Sequence, residues 1–245
     1  MSEASCTVQN FQVDVNMGTL QEKVELLERL EREGIVRSEK VKRAFLKVPR
    51  EKFVPPHLRH RAYEDIPLPI GHGQTISAPH MVLLMTERLD PEPGDIVLEV
   101  GAGSGYQAAI IAEIVNPDGK GCGHVYTIER IPELAGFARR NLAEAGYSDR
   151  VTVIVGDGSR GYPERAPYDK IIVTAAAPRV PEPLKKQLRI GGRIVIPLGG
   201  LSSQTLCIGV KKSEDRIEFI EDVPCIFVPL IGEYGWPEDA TRMII

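Results

Sequence analysis

Apolar residues first recur along this chain at helical spacing. Leu20, Val24, Leu27 and Leu30 follow a Thr19 to Glu22 capping-box pattern and stop at Gly34, which predicts an N-terminal helix. A second helix is expected from Ser38, burying Val41, Ala44, Phe45 and Val48 and ending before Pro49, and the two are expected to cover one edge of a later sheet. From Pro49 to His80 the spacing dissolves into prolines, histidines and glycines, the signature of a long loop that is either functional or disordered. A third apolar helix is predicted over Met81 to Leu89, and Ser77 reads on spacing alone as its N-cap, with Pro79 tolerated in the first turn.

The rhythm then changes to alternating strands and helices. Ile96 to Val100 reads as a buried strand, Tyr106 to Val115 as a helix, His124 to Glu129 as a strand and Ile131 to Ala145 as a helix. Strands follow at Val151 to Val155 and Asp169 to Ala176, then a short helix at Pro181 to Leu188 and a strand at Arg193 to Gly199 after a Gly191-Gly192 turn. Such alternation builds parallel β-α-β units with right-handed crossovers. Beyond Gly200 only strands remain: Thr205 to Val210 and Arg216 to Ile220, joined by the polar turn Lys212 to Asp215, form an antiparallel hairpin edge.

Composition narrows the function classes. The 245 residues suffice for one large domain, and no apolar run approaches the ~18 residues of a membrane span. The N-terminus lacks a basic-then-apolar export signal, so the expected compartment is the cytoplasm. A net charge of −4 disfavours nucleic acid as a partner, and the short cluster Arg59, His60, Arg61 reads as a solvated face. Cys6, Cys122, Cys207 and Cys225 have no metal-binding spacing; they read as reduced, buried filler, and no metal is expected.

The stretch DIVLEVGAGSGY, Asp95 to Tyr106, carries the candidate chemistry. Glycines at 101, 103 and 105 after a buried strand let a backbone approach a ligand at the carboxyl end of a parallel sheet, where such sheets bind nucleotides. Glu129, ending the next strand, is placed to accept ribose hydroxyls. A dinucleotide fingerprint wants Gly or Ala where this chain has Tyr106. An acid before G-x-G-x-G with a second acid ending the next strand instead resembles the S-adenosylmethionine-dependent methyltransferases.

The segments GHGQTISAPHM, VLEVGAGSGY, VYTIER, Gly156-Asp157-Gly158, APYDKIIVTAAAP, LRIGGRIVIPLG and FVPL, in this order, resemble the protein-L-isoaspartate O-methyltransferase family from about Gly18 to Ile231. The resemblance implies an α/β class I methyltransferase (Rossmann-like) fold with a mostly parallel seven-stranded sheet, a C-terminal antiparallel hairpin and N-terminal helices. Residues 18–231 form the domain: 18–90 hold the helices and active-site loop, 91–231 the core and hairpin. Residues 1–17 and 232–245 are expected to be tails.

It further implies S-adenosyl-L-methionine as methyl donor, with S-adenosyl-L-homocysteine as product, and the free carboxylate of L-isoaspartyl residues in damaged proteins and peptides as acceptor. A monomer is expected, without nucleic-acid or membrane partners. Ser77 matches the family's active-site hydroxyl, with Thr75 beside it, and Ile76 and His80 lie in the same loop against donor and acceptor. Glu99, Gly101 and Gly103 would hold the methionine end, Glu129 the ribose beside Arg130, and Asp157 with Gly158 the adenine edge. The bland readings are a loop histidine at His80 and a turn aspartate at Asp157. A class I methyltransferase acting on RNA or a small molecule is the alternative. A carboxylate acceptor is already ionised at neutral pH and needs no general base, unlike an amine or hydroxyl.

Overall fold

The computed structural model describes residues 20–243. Its sheet has seven strands in the order β5-β4-β3-β6-β7-β8-β9, where β3 is Ile96–Val100, β4 His124–Glu129, β5 Val151–Val155, β6 Tyr168–Val173, β7 Leu188–Gly199, β8 Gln204–Ser213 and β9 Arg216–Cys225. The five strands β3 to β7 pair in parallel, and β8 and β9 close the sheet antiparallel. The chain winds outward from β3 through β4 to β5, then returns to β6 on the other side of β3. The strand order therefore reverses between β3 and β6, the position at which open α/β sheets form a ligand crevice.

Helix α1 spans 20–32 and α2 Glu39–Lys47; α3 is Pro79–Leu89, α4 Tyr106–Val115, α5 Pro132–Ala145 and α6 Glu182–Gln187. The apolar positions predicted for α2 are buried, and Leu27 and Leu30 of α1 enter the core, while Leu20 is exposed; Thr19, the expected cap, lies outside the described residues. Helix α2 packs on α3 and α4 rather than along a sheet edge, because those helices, not the sheet, leave an apolar surface there.

The long segment after Pro49 is ordered, contrary to a bare loop. Two 3₁₀ turns, Arg50–Phe53 and Pro56–Arg61, lead into a hairpin of β1, Leu68–Gly71, and β2, Gln74–Ile76. Its tip needs left-handed backbone, found at His72 (φ 53°) and Gly73 (φ 69°). Proline hid this pairing from the sequence, since Pro69 is tolerated only because each strand of a two-stranded ribbon has a free edge. Gly191 and Gly192 likewise make no turn; β7 begins at Leu188 and carries them through an irregularity in its register with β6. Cys207 and Cys225 are buried free thiols as expected, but Cys122 is exposed; Cys6 lies outside the described residues.

Candidate active site

Strand β3 delivers the chain into the glycine turn at the crevice. Gly101, Gly103 and Gly105 all have positive φ, at 100°, 52° and 88°. A side chain at 101 would also strike the Thr174 hydroxyl, which donates to Gly101 O at 2.7 Å from the end of β6. Glu129, ending β4, clamps the turn: one carboxylate oxygen accepts the Gly103 N–H at 2.9 Å and the other the Ile131 N–H at 3.0 Å. Each oxygen keeps a further lone pair.

Two adjoining cavities open over this turn. The first brings together Thr75, Gly101, Gly103, Glu129, Arg130 and Gly158, with apolar walls from Val100, Ile128, Leu230 and Ile231. The second shares Thr75, Gly101, Gly103 and Thr174 and adds Ile76, Ser77, Tyr106 and Gln107. The hydroxyls of Thr75 and Ser77 make no hydrogen bond to the described residues. Ser77 is not the N-cap of α3: that position is Ala78, with Pro79 as first helical residue and no side-chain cap. The capping expectation fails because the helix starts one residue later than a serine cap requires, and the hydroxyl is left free at the cavity.

Three expected site residues lie elsewhere. His80 lines neither cavity; its ring nitrogen Nδ1 and its backbone N–H both meet Asp65 Oδ1 at 2.9 Å. That bond raises the His80 pKa against the effect of its partial burial. Burial alone would raise the Asp65 pKa, but the His80 bonds, with Arg29 nearby, outweigh it and hold the carboxyl below its ordinary range. Asp157 is committed to its own chain, accepting from Ser159 N and Oγ and from Glu233 N, and it faces a neighbouring cleft.

Glu99 is fully buried under the turn, lines neither cavity, and neither carboxylate oxygen has a hydrogen-bond partner. Burial pushes its pKa up to about 8; the Glu129 charge adds to this, and Thr127, its register partner on β4, opposes it. A neutral carboxyl is what a dry site without a partner favours.

Sequence reading missed Arg50. Its Nε donates to Ala62 O at 2.7 Å and its Nη2 to Ser77 O at 2.8 Å, so a fully buried guanidinium ties the 3₁₀ segment to the hydroxyl loop. An arginine set between Pro49 and Glu51 looks like a surface residue, and nothing in the chain's spacing signals its burial.

The family model of protein-L-isoaspartate(D-aspartate) O-methyltransferase matches residues 21–235. The chain belongs to this family. Among its relatives, the protein-L-isoaspartate O-methyltransferase of Hyperthermus butylicus is 68% identical over 87% of this chain and 90% of its own length. That of Staphylothermus marinus is 62% identical over 89% of this chain and 97% of its own. A Plasmodium falciparum structure described as this enzyme, in complex with S-adenosyl-L-homocysteine, superposes with a TM-score of 0.77 at 30% identity, covering 85% of this chain and 98% of the other.

The residues present fit the methyl donor of this family. A left-handed glycine cradle that a Cβ would fill and a carboxylate with unused acceptor capacity at its lip are what a nucleoside-bearing ligand requires of this crevice. No described helix is long and apolar enough to cross a membrane.

Proposed function

We propose that this site methylates the free carboxylate of L-isoaspartyl residues in damaged proteins and peptides, with Ser77 and Thr75 holding the acceptor and the Gly101 to Glu129 cradle holding S-adenosylmethionine. The observation that carries the reading is the lining of the second cavity: it contains hydroxyls, an amide and apolar groups, but no Asp, Glu, His or Lys. Its one phenol, Tyr106, has its pKa raised by burial and is no base at neutral pH. An amine or hydroxyl acceptor must lose a proton as it is methylated and wants a base at hand. An ionised carboxylate does not.

The donor, when bound, supplies an electrophilic methyl on a cationic sulfur. Glu129 and Arg130 line the first cavity and are assigned to the donor, with Glu129 on the ribose hydroxyls. Gly101, Gly103 and Gly158 let the backbone approach closely, and the apolar walls exclude water. On the acceptor side the free hydroxyls of Thr75 and Ser77 donate to the carboxylate without adding a charge. A lysine in their place would hold the anion harder and lower its nucleophilicity. Holding nucleophile and electrophile in line is worth roughly 7–11 kcal/mol in well-aligned intramolecular cases, so orientation by the hairpin loop is the main contribution asked of these side chains. Ile76 packs the same loop into the core. Glu99 keeps its assignment to the methionine end at one remove, beneath the turn rather than in contact with the cleft.

Labelled donor incubated with matched isoaspartyl and aspartyl peptides tests the reading. Label should enter only the isoaspartyl peptide and be released by mild base as volatile methanol. Base-stable label, or equal labelling of both peptides, would contradict it.

A further inference from the structure

The acceptor end of the site is backed by a cation that the chemistry above leaves unused. Arg50 is the largest of the fully buried side chains. Besides its bonds to Ala62 O and Ser77 O, its guanidinium carbon lies 5.0 Å from the centroid of the Tyr106 ring. Among the described residues no carboxylate lies within ion-pair distance of it, its Nη1 has no partner, and the buried Tyr106 hydroxyl has none either. Burial lowers the pKa of the guanidinium to about 10, so it remains charged at neutral pH. Ser77 and Tyr106 both line the second cavity, and the charge therefore sits directly behind the wall they form.

Asp65, Tyr63 and the Tyr106 ring act on this charge in its favour, but none contacts it as an ion pair; a buried charge without such a partner is costly, and satisfying two carbonyls requires only neutral donors. A cation in this place is accounted for if something anionic spends time on the other side of the wall. The local geometry agrees: a trans peptide sets the Ala78 N–H opposite the Ser77 carbonyl. Pinning that carbonyl to Arg50 turns the Ala78 N–H away from the guanidinium, where it has no partner among the described residues.

We propose that Arg50 is a positioning residue that fixes the Ser77 segment from behind and gives the acceptor subsite the positive potential by which it selects an ionised carboxylate over a neutral group of the same shape. The inference rests on the carboxylate-acceptor reading above.

The test compares wild type, Arg50→Met and Arg50→Lys. Each is given an isoaspartyl peptide as substrate and the matching isoasparaginyl peptide, whose carboxamide is neutral, as competitive inhibitor. S-adenosyl-L-homocysteine affinity is followed by calorimetry. Wild type should favour the carboxylate by at least about tenfold, a difference of 1.4 kcal/mol. In Arg50→Met that preference should fall to about threefold or less while KM for the substrate rises by a similar factor and homocysteine-product affinity stays within about twofold. Arg50→Lys, which restores charge without the fork, should regain part of the preference.

An undiminished preference in Arg50→Met, a wild type without preference, or no recovery in Arg50→Lys would overturn the proposal. So would a parallel loss of product affinity, or failure of both variants to fold, since either assigns Arg50 to the framework alone. Absence of methyl transfer by wild type would sink the acceptor reading itself, a result distinct from an active enzyme whose preference ignores Arg50.

Discussion

Replacing Glu99 by Gln removes a titration from the middle of the sheet while keeping the side chain's shape. The folded-state pKa of this carboxyl is raised from its ordinary 4.5 to about 8, so the fold favours its neutral form over its ionised one. The stability that goes with the bound proton is fully present below pH 4.5 and is lost as pH rises through 8. At 1.36 kcal/mol per pH unit, the wild-type protein should have lost roughly 3 kcal/mol by pH 7 relative to a variant that cannot ionise. In a domain of this size that is about 6–12 °C in Tm. Calorimetric unfolding of ligand-free wild type and Glu99→Gln from pH 5 to 8.5 should give near-equal Tm values at pH 5 and a gap that widens steadily toward pH 8, with the variant the more stable. A gap independent of pH would refute the reasoning, because it would mean that Glu99 is already ionised and compensated at neutral pH. If Glu99 serves the donor through the turn, the same variant should bind S-adenosyl-L-homocysteine more weakly despite its greater stability.

Ser77→Ala should reduce kcat by about ten- to a hundredfold, the worth of one hydrogen bond to an anion, with little change in donor affinity by calorimetry; intact turnover would remove Ser77 from the chemistry. Glu129→Gln sets an amide N–H₂ against one of the N–H groups of Gly103 and Ile131, and should weaken S-adenosyl-L-homocysteine binding by at least about tenfold, again by calorimetry. Gly101→Ala combines positive φ with collision against the Thr174 hydroxyl and should cost about 1–3 kcal/mol or more in thermal unfolding, together with donor affinity. Asp65→Asn removes the partner that raises the His80 pKa. Its cost should be greatest near pH 5–6, where both groups are charged, remain under about 1 kcal/mol because the pair is partly exposed, and fade as pH rises through the raised pKa of His80.

Much of the core was legible because two periods and one turn specify it. Strands of period two or of continuous apolar character alternate with helices from Ile96 onward, and the glycines at 101, 103 and 105 mark the left-handed turn at the end of β3. The site proved harder at its edges. Ser77 two residues before Pro79 satisfies the local rules for a helix start, and only the tertiary placement of Ala78 shows that its hydroxyl is free. The β1–β2 hairpin was invisible because prolines suppress strand signals. His80 and Asp157 match the family's pattern; the Ser159 bonds of Asp157 are local, but Asp65 and Glu233 lie 15 and 76 residues away and no local reading supplies them. Arg50 escaped for the same reason, since its burial depends on Ala62, Ser77 and Tyr106 meeting around it.

The central claim is that uncharged hydroxyls present an acceptor which is already an anion. It is tested most directly by the pH dependence of kcat, read as initial formation of S-adenosyl-L-homocysteine at saturating donor and isoaspartyl peptide. The account predicts a level profile from about pH 6 to 8, since the acceptor carboxyl is ionised throughout and no base need lose a proton. A tenfold rise per pH unit through neutrality would contradict it.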